Sequence, residues 1–342
     1  MTYVPPPLLM STYVPTHYRT HTLGEIQSNG AKLLDSEVTV AGFMEANRGK
    51  GAICFVDLRD GTGKTQIFLK ADNVGDAALD MVQRMTREST LQFTGTVSEK
   101  RPPKLQEGQT LPPPTYEVIA STVTVIAKAA APLPLGVTDT VNVELDTRLD
   151  NRFLDLRREH IAAMFRLRGK VLQYGREALI NEGFFETHTP KIVATATEGG
   201  TDLFPMQYFD TPAFLNQSPQ LFKQLCMSGG LERVFEIGPA FRAEKHDTYR
   251  HLNEFISFDI ECSWSTDDDV MGVLERMIHH IWQSIADDDE SQSYIARIND
   301  FRASKDEEPI EVIVPELPFP RVSYCDAIKI IKEKGGEIEW LS

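Results

Sequence analysis

Arg242, Arg250, Lys223, several carboxylates and the Phe255 ring fall within one stretch of the 342-residue chain, from Thr197 to Glu261. It opens with the polar, glycine-containing loop Thr197-Glu198-Gly199-Gly200-Thr201, followed by Ser218-Pro219-Gln220-Leu221-Phe222-Lys223-Gln224. Then come Phe241-Arg242-Ala243-Glu244 and Arg250-His251-Leu252-Asn253-Glu254-Phe255. Arg242 and Glu244 stand two apart at the end of a predicted strand, so the pleat puts them on one face, and Asp259 and Glu261 share a face by the same rule. A guanidinium presents a planar fork that matches phosphate or carboxylate. Arg242 and Arg250, close to acids and to the Phe255 ring, suit a nucleoside triphosphate bound with metal. The competing reading is a strand hairpin laced by surface ion pairs. It must treat the coincidence of a strand-end Arg-x-Glu, an Arg-His loop and an aromatic return strand as chance.

Periodicity predicts the elements that position these groups. Phe184 to Pro190, Ala213-Phe214-Leu215, Val234 to Ile237 and Phe255 to Glu261 read as strands. Helices are predicted over 219–229 and 267–286, the second with acid in its first turn. A longer helix runs from Glu159 to about Glu182; Met164, Leu167, Val171, Tyr174 and Ala178 form its apolar face, and Gly183 ends it. The second half is thus α+β on a largely antiparallel sheet. The first half is β-rich, with strands over 38–44, 53–58 and 65–69, helical spacing over 72–87, and strands over 91–97 and 116–126. Three strands, a helix and two strands is the order of a five-stranded OB barrel. The predicted organisation is a barrel domain over 1–130, a hinge over 131–150 with a linker's composition, and an α+β domain over 151–342.

Composition narrows the function classes. The formal charge of −15 lies wholly in the second half: residues 1–130 hold 13 basic and 13 acidic residues, residues 131–342 hold 22 against 37. Such a chain is no polybasic nucleic-acid binder, so any RNA contact must be local and geometric. No run approaches the length of a membrane span, and the Pro-broken N-terminus lacks the pattern of a secretory signal. A cytoplasmic, non-membrane location is expected. Cys54, Cys226, Cys262 and Cys325 are scattered and read as reduced thiols, without zinc-ligand spacing. Gly61-Thr62-Gly63-Lys64-Thr65 imitates the tail of a P-loop, but the earlier glycine position is Leu58 and a strand follows, so a hairpin turn is expected.

Phe241 to Glu244 with Arg250 to Phe255 resembles motif 2 of the class II aminoacyl-tRNA synthetases, and the helix ending at Gly183 with the strand into Pro190 resembles motif 1. Arg148-Leu149-Asp150-Asn151-Arg152-Phe153-Leu154-Asp155-Leu156-Arg157, Thr195 to Thr201 and Ser218 to Gln224 resemble, more closely, the archaeal-type aspartyl-tRNA synthetases. The likeness covers nearly the whole chain from about residue 18. It implies an N-terminal OB barrel that reads the anticodon of tRNA(Asp), and a class II catalytic domain. ATP and Mg²⁺ are the implied cofactors, L-aspartate the amino acid, and a homodimer formed around Pro190 the assembly. The reaction implied is aspartyl-adenylate formation and transfer to tRNA(Asp), with tRNA(Asn) left open.

Carried residue by residue, the resemblance implies that Glu198 holds the α-ammonium of aspartate, and that Gln220 and Lys223 face the amino acid, Lys223 meeting its side-chain carboxylate. Arg242 would bind the α-phosphate and the reacting carboxylate. Glu244, Arg250, His251 and Leu252 would line ATP, with Phe255 stacking on adenine. On the barrel, Arg48, Phe55, Gln66 and Glu117 would read anticodon bases. The third class II motif has no counterpart by Ser342, and the implied Mg²⁺ ligands lie beyond it, so the chain is expected to be truncated before that motif. Asparaginyl-tRNA synthetase, a non-catalytic RNA-binding remnant and a tRNA-independent amide ligase are the alternatives. Lys223 speaks for aspartate, because a buried cation rewards a carboxylate over an amide.

Overall fold

The alternating pattern of the first half closes on itself. In a computed structural model, which describes residues 15–102, 112–137, 142–195, 203–245, 248 and 251–336, the chain divides into two compact units. These are Met1–Leu167 with Asp289–Ile310, and Arg168–Asp288 with Glu311–Ser342.

The first unit begins with α1 (Leu23–Ser28), fixed by a reciprocal Thr22–Glu25 cap, and α2 (Gly30–Leu33). Strands β1 (Glu37–Lys50), β2 (Ile53–Arg59) and β3 (Lys64–Lys70) follow, then α3 (Ala71–Val74), α4 (Asp76–Gln83), β4 (Thr90–Glu99) and β5 (Tyr116–Ala127). The strands form a closed barrel in the order β1-β2-β3-β5-β4, the expected OB arrangement. The helix predicted over 72–87 is broken at Gly75, whose φ of 84° lies in the left-handed region. Between β2 and β3, the Asp60 carboxylate accepts from the Thr62 and Gly63 amides (2.7 and 3.1 Å), so the P-loop-like run is a hairpin turn.

The pleat sends Val38, Val40, Cys54, Val56, Leu58, Ile67, Leu69, Phe93 and Val118 inward, and Leu23, Ile26, Leu79 and Val82 plug the barrel. β1 serves two neighbours: it pairs β4 over Glu37 to Phe43 and β2 over Phe43 to Lys50. A bulge between Met44 and Ala46 reverses its parity. Even-numbered side chains point inward before it (Val38, Val40, Met44) and outward after it, where Arg48 lies opposite Phe55.

Beyond the barrel come α5 (Leu145–Asp150), α6 (Arg152–Asp155) and α7 (Glu159–Asn181). The run Arg148 to Arg157 is held by one fully buried carboxylate: Asp155 accepts from Arg148 Nε at 2.8 Å and Arg152 Nη1 at 2.6 Å. Arg157 and Arg59 share the buried Glu88, each at 2.9 Å.

The second unit holds β6 (Phe185–Glu186), β7 (Ile192–Val193), β8 (Pro205–Tyr208), β9 (Thr211–Leu215), α8 (Gln220–Ser228), β10 (Arg233–Phe241), β11 (Glu254–Cys262) and α9 (Asp267–Asp287). α10 (Asp289–Ala303) returns to the first unit, and α11 (Tyr324–Glu333) belongs to the second. One sheet runs β11-β10-β6, with β10 and β11 antiparallel and β6 parallel to β10; β7-β9-β8 form a second. The strand predicted over 184–190 is thus reduced to Phe185–Glu186. Phe235 and the less deeply buried Ile237, Phe258 and Ile260 pack against Ala178 and Leu179 of α7 and Val273 and Met277 of α9. Gly175 is required there, since a Cβ on it would stand 2.4 Å from the Phe258 ring.

Breaking a buried ion pair costs about 3–5 kcal/mol because the remaining charges lose their partner. Asp155→Ala is therefore expected to lower the unfolding free energy by about 3 kcal/mol in urea titrations. A loss below about 1 kcal/mol would contradict the role given to this carboxylate.

Candidate active site and nucleic-acid interface

The β10–β11 register decides which side chains can meet. With Phe235 opposite Ile260 and Ile237 opposite Phe258 on the helix-packed face, the other face carries Glu236 opposite Asp259, Gly238 opposite Ser257 and Ala240 opposite Phe255. α8 lies on this second face. From it Lys223, only 2 % exposed, reaches Asp259 Oδ1 at 3.4 Å, Glu261 Oε2 at 3.5 Å and the Ile260 carbonyl at 3.2 Å. Gln220, one turn earlier, donates to Glu261 Oε2 at 3.0 Å. Both carboxylate contacts of Lys223 exceed the 2.7–2.9 Å of a strong charged hydrogen bond, so an entering carboxylate can compete for it.

At the far end of the strand pair, the Arg242 guanidinium stands 5.4 Å from the centre of the Phe255 ring. β10 stops at Phe241, and the Glu244 amide donates back to the Arg242 carbonyl at 2.8 Å. That turn ends the alternation on which the two-residue spacing of Arg242 and Glu244 relies. The Arg242 amide donates to the Asn253 carbonyl at 3.0 Å, which closes the base of the loop. His251 Nε2 lies 4.0 Å from Glu244 Oε2, its Nδ1 is 2.6 Å from Thr248 Oγ1, and Leu252 projects to solvent. Glu198 and Arg250 lie outside the described residues.

On the same face of the strand pair is a cluster that sequence reasoning missed. Glu236 is 2 % exposed; it accepts from Thr189 Oγ1 at 2.7 Å and pairs with Lys191 Nζ at 2.5 Å. The Asn216 amide donates to the Lys191 carbonyl (2.9 Å), and the Asn216 side chain donates to the Pro190 carbonyl (3.1 Å). These bonds tie the exposed Pro190 segment to the start of α8. A buried charged residue inside an apolar strand, Val-Phe-Glu-Ile, was the available signal.

Burial pushes the Cys262 thiol, like that of Cys54 in the barrel, above the ordinary thiol range. Among the described residues no three metal-ligating side chains converge, and the β11 carboxylates face Lys223. They do not fit a Mg²⁺ cage. No helix of the described residues is long and apolar enough to cross a membrane.

In the first unit the four barrel candidates come together on the outer face of three neighbouring strands and β1. Arg48 lies opposite Phe55, Phe55 opposite Phe68, and Gln66 opposite Glu117. The Phe55 and Phe68 ring centres are 5.0 Å apart, and Gln66 Nε2 donates to Glu117 Oε2 at 2.6 Å. Asp57, not anticipated, holds Arg48 through two bonds of 2.6 and 2.9 Å. Phe68 was also missed, although it stands two residues after Gln66 on the same face. Phe55 and Phe68 are half-buried, and partly exposed aromatic faces beside polar groups of fixed direction can stack unpaired bases and read their edges.

Residues 144–339 match the tRNA synthetases class II (D, K and N) family, and residues 38–126 match the OB-fold nucleic acid binding domain. An aspartate–tRNA(Asp/Asn) ligase from Methanococcoides burtonii is 45 % identical over 94 % of this chain and 68 % of its own length. One from Archaeoglobus fulgidus is 46 % identical over 89 % of this chain and 66 % of its own. The chain thus spans about two thirds of these relatives. A crystal structure of asparaginyl-tRNA synthetase from Pyrococcus horikoshii complexed with asparaginyl-adenylate superposes with a TM-score of 0.74, at 29 % identity, over 91 % of this chain and 67 % of that one.

Glu236→Ala removes the acceptor of both Thr189 and Lys191. It is expected to destabilise the protein by about 3 kcal/mol and to abolish amide hydrogen-exchange protection at Asn216. Unchanged protection at Asn216 would show that the cluster does not hold this segment.

Proposed function

The chain belongs to the class II tRNA synthetases, and we propose on that premise that it works as an aspartate–tRNA ligase, charging tRNA(Asp) and, as its relatives' names suggest, tRNA(Asn). The observation that carries this reading is the buried ammonium of Lys223 on the same sheet face as Arg242 and Phe255. Four residues of strand separate Asp259 from Phe255, about 13 Å, which is room for an amino acid, a phosphate and a purine laid end to end.

In this reading Lys223 receives the side-chain carboxylate of aspartate and Gln220 lies beside it. Glu198 takes the α-ammonium. Arg242 orients the α-carboxylate against the α-phosphorus of ATP and neutralises the charge that grows there. A carboxylate oxygen forms the new P–O bond, the bond to the β-phosphate oxygen breaks, and pyrophosphate leaves. Glu244, Arg250, His251 and Leu252 line the nucleotide, with purine on Phe255. The 3′-terminal ribose hydroxyl of tRNA then attacks the acyl carbon and AMP leaves. Neither step needs a protein nucleophile. Arg48, Phe55, Gln66 and Glu117 meet the anticodon, and two copies associate through the segment around Pro190, beside the exposed Phe185 and Ile192. Such work belongs to the cytoplasm, where tRNA is charged.

One observation favours asparagine instead. Lys223 already has two carboxylates, and a neutral amide would add no third negative charge. ATP–pyrophosphate exchange separates the two when each amino acid is offered alone to the chain extended to the length of its relatives. Exchange with aspartate is expected; exchange with asparagine alone would overturn the assignment. In the same assay Arg242→Ala is expected to lower exchange by about 100-fold or more, with tRNA affinity within a few-fold. Phe55→Ala should do the reverse, weakening tRNA by about 1–3 kcal/mol with exchange intact. The opposite pattern would exchange the roles given to the two sites.

A further inference from the structure

A second group of arginines, far along the sequence from the residues above, lines a cleft of about 140 Å³ within the first unit, walled by the β2–β3 turn, the start of α7 and α10. Four guanidiniums border it: Arg59, Arg157, Arg166 and Arg297. Two have a carboxylate partner, because Arg59 and Arg157 share Glu88 at 2.9 Å each. The other two have no ion pair among the described residues. Arg166 spends one nitrogen on the Gly61 carbonyl (2.6 Å), while its Nη1 is covered from solvent and has no acceptor. Arg297 has no hydrogen bond or ion pair among the described residues, and its Nε is likewise covered and unpartnered.

The surrounding acids do not repair this. Glu159 is engaged by Lys64 at 2.9 Å, and Asp60 by Arg19 at 3.0 Å. Tyr294 donates its hydroxyl to Glu290 at 2.6 Å and meets the Arg166 guanidinium, whose Cζ lies 5.9 Å from its ring centre, without reaching the unpartnered Nη1. Burial, and then Arg166, act against the positive form of the Arg297 guanidinium, while Glu159, Tyr294 and Asp300 act on it only through their charge. Buried donors without acceptors are rare in folded proteins, and paired guanidiniums bordering a small cleft have the geometry of oxyanion recognition.

We propose that this cleft is a binding site for a small free oxyanion of the phosphate type, held between Arg166 and Arg297. The anion supplies acceptors for guanidinium nitrogens that the fold leaves without them. The site is separate from the nucleotide site of the other unit and does not rest on the function proposed above.

The test uses inorganic phosphate as probe, in the Arg242→Ala background so that the other unit's phosphate-facing arginine does not contribute. Melting temperature is followed against phosphate concentration, with chloride controls at equal ionic strength. A saturable rise is expected. Adding Arg297→Gln should raise the apparent Kd at least tenfold, and Arg166→Gln should act in the same direction. No saturable rise, or an affinity within twofold after Arg297→Gln, would overturn the proposal. Should Arg297→Gln fail to fold, Arg297→Lys keeps the charge but loses the fork: a threefold or greater weakening supports the site, and an unchanged affinity refutes it.

Discussion

The pleat of an antiparallel strand pair makes neighbouring side chains serve opposite ends, and both units are built on that constraint. On β10 and β11 one parity of residues, Phe235, Ile237, Phe258 and Ile260, holds the strands to two helices. The other parity is released for Glu236, Phe255, Asp259 and Glu261. On β2 and β3 the inward parity closes the barrel and the outward parity displays Phe55, Asp57, Gln66 and Phe68. A slip of one residue in either pair would bury the charged set and expose the apolar one, so the same packing energy that folds each sheet also fixes what it presents.

What the constraint delivers is direction for groups that are costly to bury. Lys223 is an ammonium almost without solvent, tolerable only because β11 turns two carboxylates and a carbonyl toward it. Glu236 is in the mirrored position, a buried carboxylate supplied with Lys191 and Thr189. Each charge is oriented by elements distant in sequence. Such an arrangement resists rearrangement when a ligand's charge arrives, which is the preorganisation that adenylate chemistry requires.

Period-two alternation and the 3.6-residue period of α7 were plain in the sequence, and with them the barrel, the β10–β11 hairpin and the long helix. Less was legible where one residue overrides a pattern. Gly75 divides a helix whose apolar spacing runs through it, and the bulge at β1 changes which of its residues face outward. β8 and α10 were not anticipated; they are short or weakly patterned, and their tertiary neighbours define them. Among site residues, Arg242, Phe255, Gln220 and Lys223 stood in recognisable motifs, and the shared face of Asp259 and Glu261 followed from spacing. That both acids turn to Lys223 could not be read, because Lys223 and Asp259 lie 36 residues apart in the chain. Asp57 and Phe68 were within reach of the alternation rule and were passed over.

The most direct measurement is a crystal structure with a sulfamoyl analogue of aspartyl-adenylate. The account predicts the ligand stretched along the β10–β11 face, its side-chain carboxylate on Lys223 Nζ, its sulfamoyl group at Arg242 and its adenine on the Phe255 ring. A ligand seated elsewhere, or one whose side-chain carboxylate does not meet Lys223 Nζ, would contradict it.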